Sequence, residues 1–332
     1  MNICILGAGG WGTALGILLH NNKHSVTLWE YNKEYSHTLD EFRENFYFLP
    51  KVKIPKKIRI TNDIEFAVDK KDLVLISTPT QYIRNVIDLI KNIDLRNRII
   101  VSVSKGIENS TLLPVSGIFL DVFTKIKKKN IVVLSGPSHA EEVARQIPTA
   151  VVASSEDMSK AAVIQKAFSN KFFRVYSSDD VIGVEMGGAL KNIIALAAGI
   201  SDGAGFGDNT KAAIMTRGIT EITRLGVRLG AHEHTFYGLS GIGDLIVTCN
   251  SKLSRNRFVG EEIGKGRKLK EILAEMKMVA EGVSTTESTH ELAKKINVEL
   301  PIIEQVHKVL FHGNNPHKAT EILMTRNLKT EH

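Results

Sequence analysis

Residues 3–12 read Ile3-Cys4-Ile5-Leu6-Gly7-Ala8-Gly9-Gly10-Trp11-Gly12. A short apolar run ends in glycines spaced G-x-G-x-x-G, and a helical pattern over 11–22 starts inside them. Gly7 permits a tight turn, Gly9 lets the backbone approach a pyrophosphate, and Gly12 lets the helix lie close on a sheet. The free N–H groups and positive end of such a helix face the phosphates. Strand, spacing and helix in that order predict a dinucleotide-binding unit rather than a merely glycine-rich turn.

The same alternation continues beyond it. Strand-like runs occur at 26–29, 58–60, 73–77, 99–103, 131–134, 150–153 and 172–175, with helical patterns at 82–93, 112–128 and 159–169. Runs such as Leu-Val-Leu-Ile at 73–76 are apolar throughout, which suits strands covered on both faces, as in a parallel sheet. After about residue 178 strand-like runs almost vanish, and helical segments follow at 184–200, 209–229, 285–296, 301–311 and 317–326. Gly230 stands where a helix C-cap belongs, and Pro301 suits a first helical turn. The expected fold is therefore α/β, with a doubly wound Rossmann-type domain over 1–182 and an all-helical domain over 183–332.

Composition is compatible with that division. A chain of 332 residues holds about two domains at roughly 150 residues each. Apolar residues make up 43% and charged residues 24%, and the net charge of +7 tolerates anionic partners without requiring nucleic acid. The basic clusters at 125–129 and 265–270 have no interleaved aromatic residues and are expected to be solvated helix ends, so no nucleic-acid partner is expected. With only Cys4 and Cys249, neither a disulfide framework nor a multi-cysteine zinc site is available, and no metal is expected. No apolar run is expected to reach the roughly 18 residues of a spanning helix, and the N-terminus lacks a basic leader. A cytoplasmic protein without stable membrane insertion is expected.

Residues able to do chemistry gather in a few places. In open α/β sheets ligands bind beyond the carboxyl ends of the strands, where Ser77-Thr78-Pro79, Ser104-Lys105-Gly106 and Ser135-Gly136-Pro137-Ser138 fall. Lys105 could neutralise an anionic substrate or hydrogen-bond its carbonyl; Gly136 and Ser138 could offer a backbone N–H and a hydroxyl. Lys191 sits in Gly187-Gly188-Ala189-Leu190-Lys191-Asn192, among small and apolar residues. Partial desolvation there lowers an ammonium pKa toward acid–base use. Arg255 and Asn256, at a predicted helix start after Ser254, offer phosphate-binding chemistry; Asp244 could hold Lys191 or accept a substrate hydroxyl. Glu30 follows the second strand, where a carboxylate accepts from a ribose 2′-OH and repels a 2′-phosphate, favouring NAD. Two alternatives stay open: Tyr31 stacking beside the adenine, and Lys33 meeting a 2′-phosphate.

Taken together, the chain resembles the bacterial NAD(P)-dependent glycerol-3-phosphate dehydrogenases. The resemblance rests on Gly7 to Gly12 with Trp11, Ser104-Lys105-Gly106, Ser135-Gly136-Pro137-Ser138, Gly188-Ala189-Leu190-Lys191-Asn192, Gly243-Asp244-Leu245, Thr248-Cys249, Ser254-Arg255-Asn256-Arg257 and Glu281-Gly282. It implies that NAD or NADP lies along residues 7–12, touching Gly10 and Trp11, with Tyr31 near the adenosine and Lys105, Ala140, Arg255, Val279 and Glu281 bordering it. It implies that glycerol 3-phosphate is held by Lys105, Gly136, Ser138, Lys191, Asp244, Ser254, Arg255 and Asn256, with Lys191 as proton acceptor and Lys105 and Asp244 assisting. It further implies a role in glycerophospholipid synthesis. At Tyr31 many family members carry a basic residue; its absence here favours NAD over NADP.

Two rivals make distinct predictions. A β-hydroxyacid or 6-phosphogluconate-type dehydrogenase shares the two-domain plan and a catalytic lysine but leaves the Gly-Asp-Leu and Ser-Arg-Asn-Arg blocks unexplained. A non-catalytic NAD-binding regulator leaves a buried lysine unexplained. A homodimer is expected from the size of the helical domain, and the expected partner is the small-molecule substrate pair dihydroxyacetone phosphate and glycerol 3-phosphate.

Overall fold

A computed structural model describes residues 1–328, 330 and 331. The strands are β1 (Asn2–Leu6), β2 (Ser25–Trp29), β3 (Glu44–Asn45), β4 (Leu49–Lys53), β5 (Arg59–Thr61), β6 (Leu73–Ile76), β7 (Ile99–Ser102), β8 (Ile131–Ser135), β9 (Thr149–Ser154) and β10 (Phe173–Ser178). The helices among them are α1 (Gly10–Asn21), α2 (Lys33–Phe42), α3 (Ile64–Val68), α4 (Thr80–Asp88), α5 (Val115–Val122), α6 (Ala140–Ala144) and α7 (Met158–Phe168). Helices α8 (Val181–Gly203), α9 (Asp208–Arg228), α10 (Asp244–Asn250), α11 (Arg255–Gly264), α12 (Leu269–Glu275), α13 (Glu281–Ile296), α14 (Pro301–His312) and α15 (Pro316–Met324) follow.

The main sheet has the order β10-β9-β8-β7-β6-β1-β2-β5. Its central strands are buried on both faces and alternate between two cores, whereas the edge strands β5 and β10 keep exposed residues. Ile3 and Ile5 join Leu15, Leu19 and Val132 on one side, while Cys4 and Leu6 join Ile83, Ile87 and Phe119 on the other. β1 pairs with β2 on one edge and β6 on the other, so the chain reverses its direction of travel across the sheet at β1. A crevice opens at the carboxyl ends of strands beside such a reversal. The pairing is parallel except at one seam, where β9 runs antiparallel to β8. Strand direction leaves no mark on apolar periodicity, so that seam departs from the parallel pairing expected of the apolar runs. The β3–β4 hairpin was likewise not expected; β4 is mostly exposed and contains Pro50, which hides the usual strand signal.

α8 is the spine of the helical half. An 18-residue window of it has mean hydropathy 1.5, so it is long and apolar enough to span a bilayer, contrary to the expectation that no run reaches that length. Of that window 89% is buried inside the protein, which makes it a core helix. α11 crosses α8 with backbones nearly touching. A Cβ on Gly199 would stand 2.1 Å from the Arg257 carbonyl oxygen, and one on Gly260 would stand 2.2 Å from that of Leu196. This contact fixes the start of α11 relative to Lys191 on α8.

Glu185 ties α8 to the sheet-bearing half. Its carboxylate accepts from the Ser116 backbone N–H at 2.9 Å and from the Ser116 hydroxyl, capping the start of α5. Burial pushes its carboxyl up to about 7, more than the two Ser116 bonds pull it down. The sign follows from linkage: a raised folded-state value favours the fold fully below about 4.5, and that stability is lost as pH rises through about 7. Glu185→Gln keeps an acceptor for the N–H and removes the charge. It is expected to stabilise the protein by roughly 2 kcal/mol at pH 8 and by almost nothing at pH 4. Thermal melts at both pH values check this; an equal shift at both would contradict it.

Candidate active site

A cleft of about 850 Å³ runs along the carboxyl ends of the strands and is walled by both halves of the chain. Gly7, Gly9, Gly10, Trp11, Glu30, Tyr31, Lys105, Ser138, Ala140, Lys191, Ser254, Arg255, Asn256, Val279 and Glu281 all lie on its wall. Gly12, Gly136 and Asp244 stand behind it.

The glycine turn fits a diphosphate. Gly7 has φ +113, and a side chain there would meet the Thr78 backbone nitrogen at 3.0 Å. A Cβ on Gly12 would lie 2.0 Å from the Gly7 carbonyl oxygen, so that position serves close packing. At Gly9 a Cβ would meet nothing within 4 Å, leaving open space over the helix start. α1 has no side-chain cap on its N-terminus and no acidic residue in its first turn, so its N–H groups face the cleft for an anion. Glu30 stands on the wall with one carboxylate oxygen accepting from the Asn32 N–H at 3.0 Å; burial raises its pKa. Tyr31 is 75% exposed at the rim, edge-on to Trp29.

Deeper in the cleft, two ammonium groups share one carboxylate. Lys191 donates to Asp244 Oδ1 at 3.0 Å and to Thr248 Oγ1 at 2.6 Å. Lys105 donates to Asp244 Oδ2 at 2.6 Å and to the Gly136 carbonyl at 3.0 Å, with Ser138 Oγ at 3.5 Å. Asp244 opens α10, and Thr248 lies one turn on along the same face, so helical periodicity sets the pair. The Thr248 hydroxyl donates a hydrogen bond to the Asp244 backbone carbonyl at 2.6 Å, which leaves its lone pair to accept from Lys191. Burial lowers the Lys191 ammonium to about 8; Asp244 pulls it back up, and Lys105 pushes it down further. Burial would raise the Asp244 carboxyl, but the two ammonium groups outweigh it and hold it below the usual range. The cluster therefore carries a net positive charge and a lysine able to change protonation near neutral pH.

The two halves are pinned around this centre. Asn192 Nδ2 donates to the Lys105 carbonyl at 3.2 Å, Asn256 Nδ2 to Asn192 Oδ1 at 2.9 Å, and the Gly282 N–H to Asn256 Oδ1 at 2.9 Å. Glu281 accepts at 2.8 Å from both the Thr80 N–H and hydroxyl, capping α4 from the helical half. Ser254 caps α11 by accepting from the Arg257 N–H at 3.2 Å. Arg255, the first residue of that helix, donates to the Val279 carbonyl at 2.8 Å.

Sequence reasoning gave no role to Thr248, Asn192, Thr80 or His139. Thr248, Asn192 and Thr80 work through partners far along the chain, Lys191, Lys105 and Glu281, which no local pattern reveals. His139 also lines the cleft; burial lowers its pKa, and its Nε2 has no partner among the described residues.

A glycine turn under a helix N-terminus, joined to a buried ammonium–carboxylate centre at the domain junction, defines a dinucleotide-dependent dehydrogenase acting on an alcohol or ketone. Models of the NAD-dependent glycerol-3-phosphate dehydrogenase N-terminus and C-terminus match residues 2–161 and 180–321. A Geobacter glycerol-3-phosphate dehydrogenase [NAD(P)+] is 50% identical over 99% of this chain and 98% of its own. The Bacillus subtilis enzyme of that name is 49% identical over 98% and 94%. The crystal structure of the Coxiella burnetii glycerol-3-phosphate dehydrogenase superposes with TM-score 0.93 at 35% identity, covering 98% of this chain and 99% of that one. The chain belongs to the NAD-dependent glycerol-3-phosphate dehydrogenase family.

Proposed function

We propose that this cleft interconverts dihydroxyacetone phosphate and glycerol 3-phosphate with NAD(H) or NADP(H), with Lys191 as the proton-transfer group. The observation that carries the assignment of Lys191 is its buried ammonium, poised near pH 8 on Asp244 and Thr248. When bound, the reduced nicotinamide supplies the hydride that reduces the C2 carbonyl. Residues Gly7, Gly9, Gly10 and Trp11 hold the diphosphate, with Gly12 behind them, and Ala140, Val279 and Glu281 border the coenzyme. Glu30 and Tyr31 meet the adenosine ribose, a carboxylate there favouring NAD over NADP.

Lys191 donates a proton to the oxygen of C2 during reduction and, when neutral, removes the hydroxyl proton during oxidation. Lys105 and the Lys191–Asp244 pair stabilise negative charge on that oxygen in a site screened from water. Gly136 and Asp244 act from behind the wall by aiming Lys105 and Lys191. Ser138, Ser254, Arg255 and Asn256 bind the substrate, and the phosphate sits at the start of α11. Holding the phosphate far from C2 turns its binding energy into orientation.

The Rossmann domain is assigned to 1–182 and the helical domain to 183–332. We also assign the enzyme to the cytoplasm, as a homodimer without membrane insertion or a nucleic-acid partner, supplying glycerol 3-phosphate for glycerophospholipid synthesis. Exposed Ile242 and Ile246 on the helical half support self-association.

The phosphate assignment is tested with Arg255→Ala. KM for dihydroxyacetone phosphate is expected to rise roughly 10–100-fold, the loss of one charged hydrogen-bonding group. The slow reaction of unphosphorylated dihydroxyacetone should barely change. An equal loss on both substrates would remove Arg255 from the phosphate site.

A further inference from the structure

The cations on the cleft wall are Lys105, Lys191, Arg255 and Lys277. Lys105 and Lys191 are both paired with the Asp244 carboxylate, and Arg255 is engaged with the Val279 carbonyl. Lys277 is different. Among the described residues its ammonium is paired with no carboxylate; it rests 4.3 Å from the centre of the Tyr47 ring. An exposed ammonium over a tyrosine face is a weak attachment, readily exchanged for a charged oxygen.

The position of that ring is what gives Lys277 a role. Tyr47 lies in the turn of the β3–β4 hairpin and stacks on Tyr35 at 5.2 Å. The Tyr35 hydroxyl donates to Asn45, and Asn45 donates to the Ala8 carbonyl at 2.8 Å, so the hairpin is tied to the glycine turn. Phe48, beside Tyr47, lines the cleft, and its carbonyl oxygen stands 2.4 Å from where a Cβ on Gly10 would be. The hairpin thus hangs over the start of α1. It holds Lys277, which comes from the helical half, on the side of the cleft that takes the coenzyme's anionic groups. Lys33, the basic residue after β2, is not on the cleft wall.

From this arrangement we infer that Lys277 is a phosphate-binding residue for the dinucleotide, moving from the Tyr47 ring to a phosphate oxygen of the bound coenzyme. The inference rests on the coenzyme placement proposed above. It concerns either the diphosphate common to both coenzymes or the 2′-phosphate of NADPH, and the two sources are separable by experiment.

The test is direct binding, by titration calorimetry, of NADH, NADPH, ADP and 2′,5′-ADP to the whole protein and to its Lys277→Met and Lys277→Arg variants. Lys277→Met is expected to weaken binding by about tenfold, with arginine restoring most of it. Weakening of NADH, NADPH and ADP, with 2′,5′-ADP (which has no diphosphate) much less affected, assigns the diphosphate, whereas weakening confined to NADPH and 2′,5′-ADP assigns the 2′-phosphate. Affinities within about twofold of the unmodified protein for every ligand would overturn the inference while leaving the proposed reaction standing. An unmodified protein that binds neither coenzyme would overturn both. Lys277 is exposed, so thermal melts of the ligand-free variants should match the parent and exclude a folding artefact.

Discussion

Lys191→Ala is expected to lower kcat for dihydroxyacetone phosphate reduction by roughly 10²–10⁴ while moving KM much less. The effect should be large because the cleft offers no ready substitute. Lys105 is held 2.6 Å from the opposite oxygen of Asp244 and engaged with Gly136, while His139 is half-buried with its pKa lowered. The intact enzyme should also show the signature of a lysine titrating near 8. Below that pH Lys191 carries the proton that reduction needs, so the reduction rate should fall as pH rises through about 8. Oxidation needs the neutral amine, so its rate should rise through the same range. A loss of less than about tenfold in the alanine variant would remove Lys191 from this role.

The second large effect is expected from Asp244→Asn. The carboxylate is 1% exposed and serves two ammonium groups, one on each oxygen. An asparagine can accept from only one of them and turns its NH₂ toward the other. Breaking a buried pair in this way leaves an uncompensated charge, and a loss of about 3 kcal/mol in stability is expected. The chemistry should change in a way that a merely structural defect would not produce. Without its anion, Lys191 is left with burial and Lys105, which both lower its pKa, so the fall in reduction rate should move to a pH below about 8. Unfolding in urea measures the first effect and the pH profile the second. An unshifted profile in a folded variant would show that Asp244 does not set the protonation of Lys191.

How much of this was legible in the sequence depends on the kind of interaction. Every strand of the main sheet overlaps a predicted apolar run, and the signal is clearest at β6, β7 and β8, where burial on both faces leaves little room for polar residues. Lys191 stood out by the absence of charge around it. Helices α2 and α12 left weaker marks: α2 buries only Ser36 and Leu39, and α12 only Ile272, too few for a periodic apolar face. That Asp244 could hold Lys191 was legible, and the structure pairs them, but the sharing of that carboxylate with Lys105 was out of reach. Lys105 and Asp244 are 139 positions apart, and only the tertiary packing of the helical half, α10 lying on α8, brings them together. Glu185 was passed over for the same reason, since its partner Ser116 lies 69 positions away. Lys277 sits in an exposed loop that carries no local pattern at all.

Purified protein, given NADH, should oxidise it when dihydroxyacetone phosphate is added, much faster than with unphosphorylated dihydroxyacetone, and Lys191→Ala should abolish most of that rate. Binding of both ligands without turnover, or equal rates with and without the phosphate, would contradict it.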